Sequence, residues 1–388
     1  GAVNLKKRLK QAACVCVAAA VLTIFVPVPK AAADIDGVEA KSAILMSADT
    51  GAVLYDKNSH ERRACGSVTK VMSLLLFMEA LDSGQVSLTD EVTVSEFANS
   101  MGGSEIWLEV GEVMTFEDLL RSVIIQSAND STVALAEHIA GSEEAFLNRM
   151  NERAAELGMN DTHYLNTTGF DEEGQYTSAY DIALAARELT KHEKIFDYTT
   201  IWMYDLRGGK TQLTNTNKLI KTYSGITGLK TGTTDDAGNC FCGTAERDGL
   251  KLVSVVLGCE SSALRFSSTT KLLDYGFANW SVAAPELPES LLQPIPVIGG
   301  MERQVEAIAN LDRSAVLVPK GAADQVTYTA ELQNDVEAPV EEGQLLGTVR
   351  MMLGEEELCS FSVVAASSVE PVTFASLFSI FCKALVTS

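Results

Sequence analysis

The sequence is poor in the residues that build metal centres. Its 388 residues include four histidines, His60, His138, His163 and His192, and none stands in an H-E-x-x-H pattern. Eight cysteines are present, but no two are spaced C-x-x-C, so neither a zinc ribbon nor a thioredoxin motif is encoded. A protein metal site is therefore not expected. Positive charge is also scarce. Thirty Lys and Arg stand against 52 Asp and Glu, a formal net charge of −22. Nucleic-acid binding wants a basic face, so that function class is excluded. There is no internal repeat, no low-complexity tract and no collagen-like glycine period. Long hydrophobic runs are missing as well. The uncharged apolar stretch from Gln11 to Val26 would make a helix of only about 24 Å, short of a hydrocarbon core of about 30 Å.

What is present suits a folded enzyme. Hydrophobic residues make up 46% and charged residues 21%, enough to bury a sizeable core. At roughly 150 residues per domain, the length predicts two or three domains. The charge is unevenly placed. Residues 1–33 carry Lys6, Lys7, Arg8, Lys10 and Lys30 and no acid, which leaves the remainder at −27. A basic cluster, a short apolar run and Ala31-Ala32-Ala33 before Asp34 read as a secretory signal peptide cleaved after Ala33. The rest of the chain is then expected to work outside the cytoplasm. Cys65, Cys240, Cys242, Cys259, Cys359 and Cys382 remain after such cleavage. They are either buried apolar residues or disulfide partners, and sequence gives no connectivity.

The pattern predicts a β-hairpin over Ala43–Tyr55, turning at Asp49-Thr50-Gly51. A dense apolar run from Ser67 to Leu81 predicts a helix buried on nearly all sides. Helical patterns recur at about 116–140, 143–157 and 179–190. Three strands follow, Leu229–Thr234, Asn239–Glu246 and Lys251–Cys259, with Asp248-Gly249 as a turn. Thr269–Trp280 returns to helix. Strands at both ends of this region enclose a helical middle, which implies one antiparallel sheet with helices packed on it, an α+β domain over 34–282. After the proline-rich stretch Ala283–Pro296, period-two patterns such as Val326–Leu332 and Leu358–Ala365 predict a small all-β domain over 283–368. Beyond Pro371, Phe374, Leu377, Phe378, Phe381 and Leu385 form a helical stripe. Residues 369–388 are expected to lie as an amphipathic helix in a membrane interface.

Three short motifs carry chemistry. In Ser67-Val68-Thr69-Lys70, positions i and i+3 are neighbours on a helix. Ser67 sits at the positive end of the helix dipole. An apolar surround would lower the Lys70 pKa and make it a base, so the serine needs no histidine. In Ser127-Ala128-Asn129, the hydroxyl can relay a proton and the amide can hold a substrate amide. In Lys230-Thr231-Gly232, with Thr233, the ammonium and hydroxyls can bind a carboxylate, and Gly232 leaves room for a substrate backbone. Each motif alone also has an ordinary reading: a helix cap and surface lysine, a helix N-cap, an edge strand with a turn glycine. Their order and separations, with 60 residues from Ser67 to Ser127 and 103 from Ser127 to Lys230, are more specific.

With these motifs the chain resembles the serine-type D-alanyl-D-alanine carboxypeptidases, the low-molecular-mass penicillin-binding proteins. The likeness extends to Gly103-Ser104-Glu105-Ile106-Trp107-Leu108, Asn166-Thr167-Thr168-Gly169-Phe170, Gly228–Thr234 and Leu272–Phe277, and so covers nearly the whole chain. It implies a β-lactamase/transpeptidase-like catalytic domain followed by the β domain and the terminal helix. It implies Ser67 as nucleophile and Lys70 as base, with Ser127 relaying the proton. Asn129, Lys230, Thr231, Gly232 and Thr233 would bind substrate, and the N–H groups of Ser67 and Thr233 would form the oxyanion hole. The implied partners are peptidoglycan stem peptides ending in D-Ala-D-Ala, β-lactams as covalent inhibitors and the outer face of the membrane. No cofactor is implied.

One departure is Cys65-Gly66 before the serine, where the family usually has alanine next to it. Other readings of the same motifs are a D,D-endopeptidase, a class A-like β-lactamase and a non-catalytic penicillin-binding sensor. The string Glu144-Ala145-Phe146-Leu147-Asn148 fits the β-lactamase E-x-x-L-N pattern. Its place only 17 residues past Ser127, in a helical pattern, marks it as a decoy.

Overall fold

A computed structural model describes residues 35–312, 315–375 and 378. The expected leader, with Cys14 and Cys16, lies outside the described residues, as do Cys382 and most of the C-terminal stripe.

The chain enters the first unit through a hairpin, β1 (Ser42–Ser47) and β2 (Val53–Lys57). It then turns through a 3₁₀ segment, Gly66–Thr69, directly into helix α1 (Lys70–Asp82). Four further helices follow: α2 (Phe116–Gln126), α3 (Asn129–Ala140), α4 (Glu143–Glu156) and α5 (Ala179–Leu189). Strands β3 (Ile226–Thr234), β4 (Gly238–Arg247) and β5 (Leu250–Cys259) return, and helix α6 (Ser262–Asn279) closes the unit. The sheet order is β2-β1-β5-β4-β3, antiparallel throughout. The N-terminal hairpin thus completes a sheet whose other three strands lie some 180 residues later.

The period-two patterns explain the layering. Ile44, Met46, Val253, Val255 and Leu257 face the core beneath α1. Their alternates Leu45, Leu252, Val256 and Phe241 face the layer covered by α6. Helix α1 is buried almost all round, including Val71, Met72, Leu74, Leu75, Phe77 and Met78, as its unbroken apolar run predicts. The pattern over 116–140 breaks at Ser127, which caps α2 in the left-handed region at φ 64°. The last helix begins at Ser262, earlier than expected, because the Ser261 hydroxyl accepts from Leu264 N and starts it.

After α6, Trp280–Ala283 pairs with Val316–Pro319. Ala307–Ala309, Glu356–Ala365, Leu345–Leu353 and Val326–Leu332 form a four-stranded antiparallel sheet with its own core around Leu346, Val349, Val363 and Phe361. The Glu144 string falls on α4, where Glu144 is exposed and Phe146 and Met150 are the packing residues. The five cysteines among the described residues are buried free thiols.

Candidate active site

The site forms where three chain segments meet at the edge strand β3. The 3₁₀ turn at Gly66–Thr69 aims Ser67 toward that edge, and the next residue, Lys70, opens α1. Lys70 is fully buried. Its Nζ donates to Ser67 Oγ at 2.9 Å, to Asn129 Oδ1 at 2.6 Å and to the Thr168 carbonyl at 2.9 Å. Burial pulls the Lys70 pKa well below the ordinary lysine value, and the neighbouring Lys230 charge adds to the effect. Lys230 is also buried, and its Nζ donates to the Thr231 carbonyl at 2.9 Å. Burial, with Arg265 nearby, lowers its pKa to about 7. Two buried amines with no carboxylate bonded to either among the described residues are biased toward the neutral form a base requires.

Asn129 begins α3 and is held through three atoms, one of them Oδ1 against Lys70. Its N–H reaches the Ser104 carbonyl at 2.6 Å and its Nδ2 reaches the Gly102 carbonyl at 2.9 Å. Ser127 is buried two residues earlier, and its Oγ has no hydrogen-bond partner among the described residues. The motif residues Ser67, Lys70 and Asn129 are therefore joined in one network, with Lys230 coupled to it through charge.

Gly232 lies against the 3₁₀ turn. A Cβ there would lie 2.5 Å from Cys65 O, 2.7 Å from Val68 N and 2.8 Å from Ser67 N. The missing side chain makes room for the Cys65–Val68 turn. Gly66 is explained the same way. Its φ of 57° suits glycine, and β3 crosses so close that a Cβ would sit 3.0 Å from Thr233 N. The Thr231 hydroxyl donates to Thr216 Oγ1 at 2.7 Å, and Thr233 Oγ1 accepts from Arg265 Nη1 at 2.8 Å.

Burial pushes the Cys65 thiol up to about 12, which leaves it protonated and unsuited as a nucleophile. Sequence reasoning missed several supports. Arg265, on α6, carries no motif, and only the fold brings it to the Thr233 hydroxyl. Glu143 Oε1 accepts from Thr167 N at 3.2 Å and from Thr167 Oγ1 at 2.8 Å, holding the loop whose next carbonyl receives Lys70. Asp130 follows the S-x-N motif directly and could have been suspected as a buried carboxylate beside it. It accepts from the N–H groups of Ile106, Leu108 and Ser131.

The family described as D-alanyl-D-alanine carboxypeptidase matches residues 29–261. The chain belongs to this family. It is a serine-type D-alanyl-D-alanine carboxypeptidase, a hydrolase. A second match, to the penicillin-binding protein 5 C-terminal domain, covers residues 289–371. The D-alanyl-D-alanine carboxypeptidase DacF of Bacillus subtilis is 40% identical over 340 residues, 87% of each chain. DacC of Escherichia coli is 31% identical over 362 residues, 90% of each. Among solved structures, penicillin-binding protein 5 of Haemophilus influenzae superposes with a TM-score of 0.75 at 28% identity, covering 88% of this chain and 100% of that one. Penicillin-binding protein D2 of Listeria monocytogenes, solved in its ampicillin-bound form, gives a TM-score of 0.56 at 30% identity, over 62% of this chain and 98% of that one. The expected catalytic fold with an appended β domain is thus observed, and the family is the one the three motifs resemble.

Proposed function

We propose that the enzyme removes the terminal D-alanine of peptidoglycan stem peptides through an acyl-enzyme on Ser67. The observation that carries this reading is the Lys70 Nζ to Ser67 Oγ contact at 2.9 Å, made by an amine whose burial favours the neutral state. Lys70 takes the hydroxyl proton as Ser67 Oγ attacks the carbonyl carbon of the penultimate D-alanine. The resulting oxyanion is received by the N–H groups of Ser67 and Thr233, where losing one donor costs about 3 kcal/mol in rate. The C–N bond then breaks. Lys70 hands the proton it took from Ser67 through Ser127 and Lys230 to the departing D-alanine amine, and is neutral again. Asn129 holds the peptide amide, and Thr231 and Thr233 bind the terminal carboxylate, with Arg265 adding positive charge behind Thr233. Water, deprotonated by Lys70, hydrolyses the ester and restores Ser67. A β-lactam would be attacked by the same serine.

The same proposal divides the chain into a leader at 1–33, a catalytic domain at 34–282, a β domain at 283–368 and a membrane-associating helix at 369–388, with the enzyme outside the cytoplasm. No described helix is long and apolar enough to cross a membrane. Phe374 and Phe378, four residues apart, are exposed and stack at 6.2 Å, which supports an apolar face at the start of the tail.

The test is to incubate the protein with a labelled penicillin and with an acyl-D-Ala-D-Ala peptide. A stable adduct on Ser67 and release of D-alanine are expected, both abolished in Ser67→Ala. Rapid penicillin turnover without D-alanine release would overturn the reading in favour of a β-lactamase.

A further inference from the structure

Three residues past Ser104, whose carbonyl accepts from Asn129 N–H, stands an aromatic side chain that packing does not explain. Trp107 is 72% exposed, while its neighbours Ile106 and Leu108 are 0% and 1% exposed. Its backbone lies in the left-handed region at φ 52°, where bulky residues are genuine outliers. Four hydrogen bonds fix that conformation from three directions. The buried Asp130 carboxylate accepts from Ile106 N at 3.2 Å and from Leu108 N at 3.0 Å. Arg207 Nη1 donates to Ile106 O at 2.8 Å and Asn99 Nδ2 donates to Leu108 O at 2.6 Å. Arg207 is itself locked by Glu112, through Nε at 2.7 Å and Nη2 at 3.0 Å. A rigid backbone in an unfavoured conformation, held so that the largest side chain points into solvent, is a device for presenting that side chain.

Its position says to what. The same segment accepts from the backbone N–H of Asn129 at Ser104 O and from its Nδ2 at Gly102 O, and Asp130 is the next residue after Asn129. A peptide held at Asn129 would leave along the segment that carries Trp107. We infer that Trp107 is a specificity-determining residue whose indole face receives the side chain immediately upstream of D-Ala-D-Ala. This rests on the reading of Asn129 as the holder of the peptide amide. In stem peptides that upstream residue is a diamino acid, with an apolar methylene run ended by an ammonium. Such a side chain suits an exposed indole, because its methylenes stack on the ring and its cation meets the negative π face.

The test compares two substrates, Nα-acetyl-L-lysyl-D-alanyl-D-alanine and its L-alanyl analogue, in wild type, Trp107→Ala and Trp107→Phe. D-Alanine release gives kcat and KM, and labelled penicillin reports the acylating centre independently. Trp107→Ala should raise KM for the lysyl peptide roughly 5- to 20-fold with little change in kcat. The alanyl peptide should be affected less than twofold, and Trp107→Phe should restore most of the loss. Equal losses on both peptides, or none on the lysyl peptide, would overturn the inference. Absence of D-alanine release from wild type would instead sink the carboxypeptidase reading on which it rests.

Discussion

Replacing Gly232 by alanine tests how the site is assembled. The new Cβ would meet three backbone atoms of the nucleophile turn at 2.5, 2.7 and 2.8 Å. Carbon contacts relax at about 3.5 Å, so the turn and β3 must separate by about 1 Å. The turn has no room to retreat. On another side the loop at Gly169 presses on it, and a Cβ there would stand 1.9 Å from Gly66 O. The edge strand β3 has one free side, so it is the element that moves, and it carries Thr233 N away from Ser67 N. A 1 Å misplacement at a reacting centre costs about 100-fold in rate. Overpacking of this kind costs about 1–3 kcal/mol in stability, several degrees in Tm for a domain of this size. The assay is the second-order rate of labelled-penicillin acylation, with a circular-dichroism melt of the same sample. Gly232→Ala should remain folded, melt several degrees lower and acylate about 100-fold more slowly. A folded variant acylating within threefold of wild type would refute the close packing of β3 on the turn as the feature that sets the site.

Three further outcomes follow from the site's electrostatics and supports. Acylation should fall as pH falls through the Lys70 pKa, and Asn129→Asp should move that acid limb to higher pH, because a carboxylate 2.6 Å from Nζ stabilises the ammonium; an unmoved limb in a pH–rate profile would count against Lys70 as base. Lys230 is held at about 7 when folded and stands at 10.5 when exposed, so between those values the unfolded state binds more protons and stability rises with pH. Urea midpoints at pH 7.5 and 9.5 should show that rise in wild type and a smaller one in Lys230→Met. Glu143→Ala leaves the N–H and hydroxyl of the buried Thr167 without their acceptor, a cost of about 1–3 kcal/mol, and loosens the Thr168 carbonyl that receives Lys70. Both Tm and acylation rate should drop; a drop in Tm alone would confine Glu143 to a structural role.

The strands and helices were legible because burial follows the local apolar pattern. Val326–Leu332 of the β domain alternates, while β5 and α1 are apolar runs buried on nearly every side, so local pattern and tertiary position agree. The start of α6 was not legible, because residues 262–268 carry Arg265 and three serines, and the cap at Ser261 decides where the helix begins. The nucleophile motif was readable for the same local reason, since Ser67 and Lys70 lie one turn apart wherever the helix goes. The packing of Gly232 on the Cys65–Val68 backbone was not legible, because the two segments are more than 160 residues apart in the chain.

By itself, then, the sequence determined the elements, the family resemblance and which serine and lysine are proposed as nucleophile and base, all consequences of short-range spacing. Only the tertiary structure decided what tunes them. The burial that lowers Lys70 and Lys230, the carbonyl at Thr168 and the hydroxyl partner Arg265 all come from segments brought together by a sheet with distant strands. Desolvation and charge act through space, and spacing along the chain does not encode that distance.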